Sequence, residues 1–565
     1  MNDASDGKPA AGQIKASDLF VQCLEAEGVE YIFGLPGEEN ADLMMSLTGS
    51  KSIKFILTRH EQGAAFMADV YGRLTGKAGV CLSTLGPGAT NLVTGLADAN
   101  MDRGPVVAII GQASTKRLHK ESHQNMDAIS MMRPISKWAQ SIIDPASIPE
   151  IVRKAFKLAE AEKPGVTVVE LPEDVAERET GGEPMHVYKT RRPGADHKAV
   201  EQAVEVIINA RNPVILAGNG ALRKRAALQL RRLAHKAGIP VFNTFMGKGA
   251  LKRDDPHNLF TIGLQARDYG NRAMEAADVV IAVGYDLVEY APERWNPNRD
   301  KKVVYIDFLP AEVDSHYTVA AEVVGDIADA LWQINIALER DYDERLPLNK
   351  IENWGKLREQ IQADHACEKD DQSFPVKPQK ILWDVREFMG PKDILLSDVG
   401  AHKMWISRYY PAEEPNTVLI SNGFCSMGFA LPGAIGAKFA CPEQKVLAIC
   451  GDAGFLMNVQ DLETAVRHKL NVVIMVWADG GYGLIKWKQE TEFGRHSKLE
   501  FGNPDWELLA QAFGCWGRTV RKAGELPAAL KEAFSQKGPA IIGVPVDYAE
   551  NAKLTKKLGS IVMHG

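Results

Sequence analysis

Short β-branched apolar runs alternate along the chain with stretches whose apolar residues return every three or four positions. The runs "YIFGLPG", "GVCLSTLGPG", "PVVAIIGQ" and "GVTVVELP" occupy the first third. "PVILAGNG", "DVVIAVGY" and "KVVYIDFLP" follow in the middle, and "DILLSDVG", "KVLAICGDAG", "NVVIMVWADGG" and "AIIGVPVD" in the last third. Strands apolar on both faces belong to parallel sheets covered by helices on both sides, so the pattern predicts an α/β protein with three doubly wound parallel-sheet domains. Two polar stretches punctuate the series. Residues 177–200, "ERETGGEPMHVYKTRRPGADHKAV", are rich in Gly and Pro without a helical period and read as a surface linker. Around 341–378 charged residues surround one predicted helix. The expected domains are therefore 14–180, 195–340 and 375–550.

Length agrees with that division, because 565 residues exceed one hydrophobic core at roughly 150 residues per domain. With 45% hydrophobic and 25% charged residues and a formal net charge of −7, the chain lacks the basic clusters that nucleic acid or an acidic membrane would require. Its seven cysteines (23, 81, 367, 425, 441, 450 and 515) are scattered and never form a C-x-x-C pair. A reducing compartment is expected, with neither a disulfide frame nor a zinc site. The opening "MNDASDGKPAAG" lacks the basic and apolar regions of a secretory signal and reads as a disordered tail. No apolar run reaches the roughly 18 residues of a membrane span. A cytoplasmic protein without membrane or nucleic-acid partners is expected.

Candidate chemistry begins at "LAICGDAGF" (447–455), where an apolar strand runs into Asp452 held between small residues. Glycines after a strand bring backbone N–H groups close to a ligand, often phosphate, and a carboxylate beside phosphate requires a cation between them. The helical pattern of "FLMNVQDLETAVRHKL" and the strand "NVVIMVW" then lead to "ADGGYG". A strand, helix and strand in a parallel sheet return to the same edge, so Asp452 and Asp479 reach one ion beyond the carboxyl ends of neighbouring strands. Hard oxygen ligands beside phosphate suit Mg²⁺ or Ca²⁺. The glycines let a backbone carbonyl, that of Gly481, supply a third ligand, and the Ala453 and Gly454 N–H groups are expected to face the phosphate. Taken singly, Asp452 also reads as a helix cap and Asp479-Gly480 as an ordinary turn.

This spacing resembles the metal and diphosphate motif of thiamine-diphosphate enzymes, usually GDG closing in NN. The chain departs from it with GDAG and with Ala478 and Asp479 as the closing pair. Alanine serves because only its backbone is needed, and Asp479 keeps an oxygen donor. Such chemistry also needs a carboxylate at the aminopyrimidine ring, where it favours the imino tautomer that takes the C2 proton. In "ILTRHEQGAAFMADVYGR", Glu61 follows a β-like run and opens a helix with a small face of Gly63, Ala64 and Ala65, suiting proton exchange with ring N1′. It also reads as a first-turn Glu meeting the helix dipole.

From "RHEQGAAFMADVYGR" through "GPGATNLVTGLADA" the chain resembles the acetohydroxyacid (acetolactate) synthase family, and the similarity extends over nearly its whole length. The resemblance implies the thiamine-diphosphate fold of pyrimidine, central and pyrophosphate domains. It places the cofactor on Leu35, Glu61, Thr84, Pro87 and Asn91, then on Val399, Gly400 and His402 in "SDVGAHKMW". It adds Cys425, whose carbonyl meets N4′, and Met427, which wedges the cofactor into a V and without the family would read as core filler. Asp452, Ala453, Gly454, Gly481, Tyr482, Gly483 and Leu484 complete the set, with Asp452, Asp479 and Gly481 on the metal. In this family Glu61 of one subunit serves cofactor held by Asp452 of another, so a homodimer or homotetramer is expected.

The middle block separates branches of the family. "PVILAGNGALR" has Gly218 and Gly220, but Arg223 stands where a dinucleotide fingerprint needs its third glycine, and close helix packing explains the pair. "VGYDLVEYAPERWNP", "VVYIDFLPAEVDSHYTVAAEVVGDIADAL" and "PVDYAEN" are similar to the FAD-free catabolic synthases rather than to the "GARFDDR" type, so no FAD is expected. "ESHQNMDA" resembles their His-Gln-x-Met-Asp segment: Gln124 would hold the pyruvate carboxylate or the tetrahedral intermediate and His123 would aid proton handling, unless both belong to an ordinary loop. Lys488 lies where biosynthetic enzymes carry a Trp selecting 2-ketobutyrate and catabolic ones generally a Gln; it is either solvated or attracts an acceptor carboxylate. The resemblance implies condensation of two pyruvate molecules to 2-acetolactate with loss of CO₂, through a hydroxyethyl unit carried on thiamine diphosphate with Mg²⁺. Another thiamine-diphosphate carboligase or 2-oxo acid decarboxylase is the alternative. A nucleotide-dependent dehydrogenase would rest on "GNGALR" alone, and a scaffold protein would give Glu61, Asp452 and Asp479 no reason to occur together.

Overall fold

The computed structural model describes residues 12–188, 190–223, 225–263, 269–349, 352–552 and 554. Of the tail expected at 1–12, residues 1–11 lie outside the described residues. Three six-stranded sheets, with every pairing parallel, form the framework. The first is built from Tyr31–Gly34, Lys54–Leu57, Gly79–Ser83, Val106–Gln112, Trp138–Ser141 and Val166–Pro172. The last is built from Ile394–Ser397, Val418–Ile420, Val446–Gly451, Val472–Ala478, Trp516–Thr519 and Ala540–Pro545. Both sheets arrange their strands in the spatial order second, first, third, fourth, sixth, fifth. The middle sheet runs third, second, first, fourth, fifth, sixth, the order of dinucleotide-binding folds, over strands Pro213–Ala217, Val241–Asn243, Asn258–Thr261, Val279–Val283, Lys302–Asp307 and Thr318–Val324.

Burial explains why these segments pair in parallel. In the middle sheet Ile215, Ala217, Ile281, Val283, Val304 and Ile306 face one apolar core, while Val214, Leu216, Val280, Ala282, Val303 and Tyr305 face another. A strand sealed on both faces has no polar alternation, as the sequence runs indicate.

The chain folds as two compact units. One holds the first sheet, up to Thr190, together with Ile435–Ala440. The other spans Arg191–Ala434 and continues from Cys441, so it holds the middle and last sheets. Within this second unit, helix Ala401–Tyr409 is bonded to the end of the middle sheet's edge strand. Arg408 donates to the Thr261 carbonyl at 2.7 Å and the Gly263 carbonyl at 2.9 Å, and buried Lys248 donates to the Ser407 carbonyl at 3.0 Å. Residues 181–188 and 190–196 are irregular, and Glu352–His365 is the helix expected between the polar flanks near 341–378.

One element differs from its sequence reading. The helical pattern after Asp452 forms two short helices, Asp452–Met457 and Leu462–Arg467, joined by a 3-10 turn at Val459–Asp461. Asn458 makes the break. Its buried side chain donates to the Gly428 carbonyl at 2.8 Å, tethering this connection to the segment that carries Cys425 and Met427.

Candidate active site

In the first unit, helix Glu61–Thr75 begins where the sequence places it. His60 caps it, accepting the Gln62 N–H on Nδ1 at 3.1 Å, and buried Glu61 is the first helical residue. Asn91, from helix Pro87–Met101, donates to Glu61 Oε2 at 2.9 Å. Small residues allow that approach. A Cβ at Gly95 would lie 2.5 Å from Ala65 Cβ, and one at Gly88 would stand 3.3 Å from Glu61 Oε1 and 3.0 Å from Thr84 Cγ2. Gly37, following Leu35, packs as closely on Thr84, leaving only 2.4 Å from an added Cβ to Thr84 Cβ. Thr84 donates to Glu39 Oε2 at 3.1 Å. Glu39, a buried carboxylate two residues beyond "GLPG", is absent from the sequence reading, since nothing there separates it from Glu38.

Gly86 opens the Pro87 helix in the left-handed region at φ 51°, which glycine adopts without strain. An added Cβ there would lie 2.9 Å from both Cβ and carbonyl O of Gln124, itself at φ 56°. The unit therefore gathers Glu61, Thr84, Pro87, Asn91 and Gln124 beyond the carboxyl ends of its strands. His123 is exposed beside Gln124.

In the second unit, strands Val446–Gly451 and Val472–Ala478 are neighbours, with Gly451 opposite Trp477. The register leaves Asp452 and Asp479 side by side. Asp452 Oδ2 accepts the N–H groups of Asp479 at 3.1 Å and Gly480 at 2.8 Å, and the Asn503 side chain at 2.7 Å. Burial, with the Asp452 carboxylate beside it, pushes Asp479 up to about 7. Ala453 N–H, expected to face a phosphate, donates to Asp452 Oδ1 at 2.9 Å. Gly481 O accepts Gly483 N–H at 3.0 Å and keeps a second lone pair. Gly481 also bridges to Glu500, and Phe501 N–H donates to Gly480 O at 2.9 Å, so the segment carrying Asn503 lies against the Asp479 loop. Tyr482 is exposed with its ring 5.4 Å from that of Phe501, Leu484 packs partly buried on the core of this sheet, and Lys488 is half-buried on helix Gly483–Phe493.

The Val399 to His402 loop converges on the same ground. His402 is buried with Nε2 lacking a hydrogen-bond partner, and burial pushes the imidazole down to about 4, keeping it neutral. Its ring lies over Gly400 and Gly451, where added Cβ atoms would sit 2.8 Å and 3.3 Å from Cε1. Beneath it Asp398 accepts Val399 N–H at 2.7 Å and Gly428 N–H at 3.0 Å, and stands 3.0 Å from a Cβ added at Gly454. Burial pushes Asp398 up to about 7. One carboxyl group thus joins the His402 loop, the Cys425–Gly428 turn and the Asp452 segment. Cys425 holds a left-handed φ of 55°, and Met427 is half-buried rather than sealed in the core. Asp398 and Asn503 are missing from the sequence reading; "SDVG" names the first only as part of a loop, and "FGNPDW" has no pattern pointing back to Asp452.

Both constellations lie in stretches that resemble known proteins. Residues 14–131 match the N-terminal TPP binding domain of thiamine pyrophosphate enzymes, 200–334 the central domain and 398–544 the C-terminal TPP binding domain. The chain is 36% identical to the acetolactate synthase of Bacillus subtilis (strain 168), over 100% of this chain and 99% of that one. The chain belongs to the acetolactate synthase family. The catabolic acetolactate synthase of Raoultella terrigena is also 36% identical, over 96% of this chain and 97% of the relative. The large subunit of isozyme 3 from Escherichia coli (strain K12) is 32% identical, over 93% and 92%. Among the described residues, no helix of this family member is long and apolar enough to cross a membrane.

At the carboxyl edge of the middle sheet, the glycines of "GNG" serve packing. A Cβ at Gly220 would lie 2.7 Å from Gly284 Cα, so the loops after two adjacent strands touch directly. Buried Glu289 fills the same edge. It accepts Asn219 N–H on both oxygens at 3.1 Å, Asp286 N–H at 3.1 Å and Thr244 Oγ1–H at 2.6 Å. Burial, with Asp286 nearby, pushes its carboxyl up to about 8.

Proposed function

We propose that this chain condenses two molecules of pyruvate to 2-acetolactate with release of CO₂, using thiamine diphosphate and Mg²⁺. The observation that carries the reading is the pair of carboxylates, Asp452 and Asp479, set side by side at the ends of neighbouring strands in a member of this family. Burial and then repulsion from Asp452 raise Asp479, and a divalent ion relieves that repulsion; the Nε2 of neutral His402, its other ring nitrogen donating to the Asp398 carbonyl, is left as an acceptor for a donor group at the site. Asp452, Asp479 and the Gly481 carbonyl would hold the metal. Val399, Gly400, His402, Ala453, Gly454 and the segment Gly481 to Leu484 would hold the diphosphate side, and Cys425 and Met427 the middle of the cofactor. Leu35, Glu61, Thr84, Pro87 and Asn91 would receive the aminopyrimidine.

When bound, thiamine diphosphate supplies the C2 nucleophile and the electron sink for loss of CO₂. Glu61 holds and moves the proton at ring N1′, and Asn91 fixes the carboxylate's orientation. Gln124, seated against Gly86, binds substrate carboxylate, with His123 beside it for proton handling. The domains span 14–180 for the pyrimidine, 195–340 for the central and 375–550 for the pyrophosphate part. The functional unit is at least a dimer, Glu61 of one subunit serving cofactor held by Asp452 of another. No flavin is needed; Glu289 supports this, since its carboxyl group takes the N–H groups that a dinucleotide phosphate would require at the switch point of such a sheet.

Pyruvate turnover, assayed as acetoin after acid decarboxylation, with and without thiamine diphosphate and Mg²⁺, tests the proposal. Product that forms only with both supports it, and no product with both present rejects it. Purified protein with a 450 nm band that follows the chain would reject the flavin-free part. Glu61→Gln should keep cofactor binding while slowing C2 proton exchange, followed by NMR, by about 10²–10⁴-fold; an unchanged exchange rate removes Glu61 from the mechanism. Lys488 favours a second reading, another 2-oxo acid as donor or acceptor, which a substrate panel with cofactor present separates from the first.

A further inference from the structure

Outside this site, the second unit brings two imidazoles and a carboxylate together. His235 comes from the last turn of helix Ala226–Ala237, and Asp255 and His257 from the segment entering strand Asn258–Thr261. His235 Nε2 stands 2.7 Å from Asp255 Oδ2 and His257 Nδ1 3.5 Å from Asp255 Oδ1, with the two rings 4.7 Å apart. One ligating atom from each residue lies within 4.8 Å of the others. His257 is only 5% exposed, and its Nδ1 makes only a long 3.5 Å contact with Asp255 Oδ1. A buried ring nitrogen held so loosely is costly unless something completes it.

We infer that His235, Asp255 and His257 form a binding site for a late first-row divalent ion, with Zn²⁺ as the representative. Two imidazole nitrogens and one carboxylate oxygen are the donors such ions prefer, whereas Mg²⁺ and Ca²⁺ take oxygen sets like that of Asp452 and Asp479. Three protein ligands leave a further position for water. Tetrahedral ligands on bonds of about 2.0–2.2 Å stand roughly 3.3–3.5 Å apart, so small side-chain rotations from the present spacings seat the ion.

The surroundings restrain the ligands. Arg358, from helix Glu352–His365, donates to the Asp255 carbonyl and to the Arg253 carbonyl, each at 3.1 Å. Asp255 Oδ1 accepts the His257 backbone N–H at 2.9 Å, and the Trp354 ring lies 6.1 Å from that of His257. His235, by contrast, is half exposed and gives the ion a way in. The ion would clamp the helix to the start of the neighbouring strand. Its role is structural, and the inference is independent of the proposed reaction. No cysteine takes part, so a sequence reading that seeks zinc through cysteine spacing passes over it.

The test uses the full-length protein, stripped with chelator and then saturated with Mg²⁺ and thiamine diphosphate, with Co²⁺ as the optical probe. One equivalent of Co²⁺ per chain should develop a visible d–d band that Zn²⁺ abolishes and excess Mg²⁺ does not, and Zn²⁺ should raise the unfolding midpoint. His235→Asn, at an exposed position, and Asp255→Asn should weaken Co²⁺ binding at least about tenfold, the lower limit for losing even an outer-shell partner, and should remove the Zn²⁺ shift in midpoint. Pyruvate turnover in His235→Asn should be unchanged. Absence of the band in the parent protein, or its persistence with the same stoichiometry and affinity in both variants, overturns the inference and leaves the three residues as a hydrogen-bonded ion pair.

Discussion

Asn503 donates to the same Asp452 oxygen that receives two backbone N–H groups, from a segment 51 residues downstream. With Asp452 as the proposed metal ligand Asn503 is an outer-shell partner, and such partners typically contribute 10–100-fold to metal affinity. Asn503→Ala should therefore weaken Mg²⁺ affinity, measured in the presence of thiamine diphosphate, by about 10–100-fold; an unchanged affinity would show that the backbone alone aims Asp452. Glu289 makes a prediction of the opposite kind. Its carboxyl is raised by burial, from 4.5 to about 8, so the folded state holds a proton that the unfolded chain has released. That contribution to stability is complete below the unfolded value and is lost as pH rises through about 8. In Glu289→Gln the amide keeps the shape and removes the titration. Its unfolding midpoint should gain on the parent's between about pH 5 and about pH 9, and a constant difference would contradict the assignment. Asp452, Asp479 and Glu61 were legible because each stands where a strand pattern gives way to a helix or turn. Asn503 and Glu289 were not, because their partners are set by tertiary contact and their own neighbours in sequence carry no matching signal; Asp398 also ends a strand pattern, but its contacts with Gly428 and Gly454 are set by tertiary contact alone.

At the scale of elements, the helix that begins with Glu61 is anchored at its far end by a buried ion network. Arg73 Nε donates to Asp69 at 3.0 Å and Nη2 to Asp102, just past helix Pro87–Met101, at 3.1 Å. These side chains are almost wholly buried, so removing the guanidinium strands two carboxylates in the interior. Arg73→Met should cost about 3–5 kcal/mol, read as a lower denaturant midpoint at unchanged slope. A loss below about 0.5 kcal/mol would mean that the network contributes only packing. The same helices show how far periodicity carries. All eleven runs singled out as strands are strands. Of the other seven strands in the three sheets, Lys54–Leu57 (read only as the β-like run before Glu61), Trp138–Ser141, Asn258–Thr261, Thr318–Val324, Val418–Ile420 and Trp516–Thr519 are sheet edges, and the remaining one, Val241–Asn243, spans three residues beside an edge. An edge strand needs fewer apolar residues because it has one neighbour and a part-open face, as the alternating exposure of Thr318–Val324 illustrates.

At the scale of the molecule, the first and last sheets along the chain share one strand order and the middle one has another, although no repeat is visible in the sequence. The fold class follows from hydrophobic runs alone, since a chain of doubly sealed strands has few ways to bury both faces. Function does not follow from the fold class. The proposed function depends on a cation that Asp452 and Asp479 would hold beside a diphosphate, and on family membership that supplies the reaction. Calorimetric titration of thiamine diphosphate into chelator-stripped protein, with and without Mg²⁺, tests that dependence most directly. The account predicts saturable binding of one cofactor per chain with Mg²⁺ present, and its loss both without the ion and in Asp452→Asn. Equal binding without the ion, or full binding by Asp452→Asn, would contradict it.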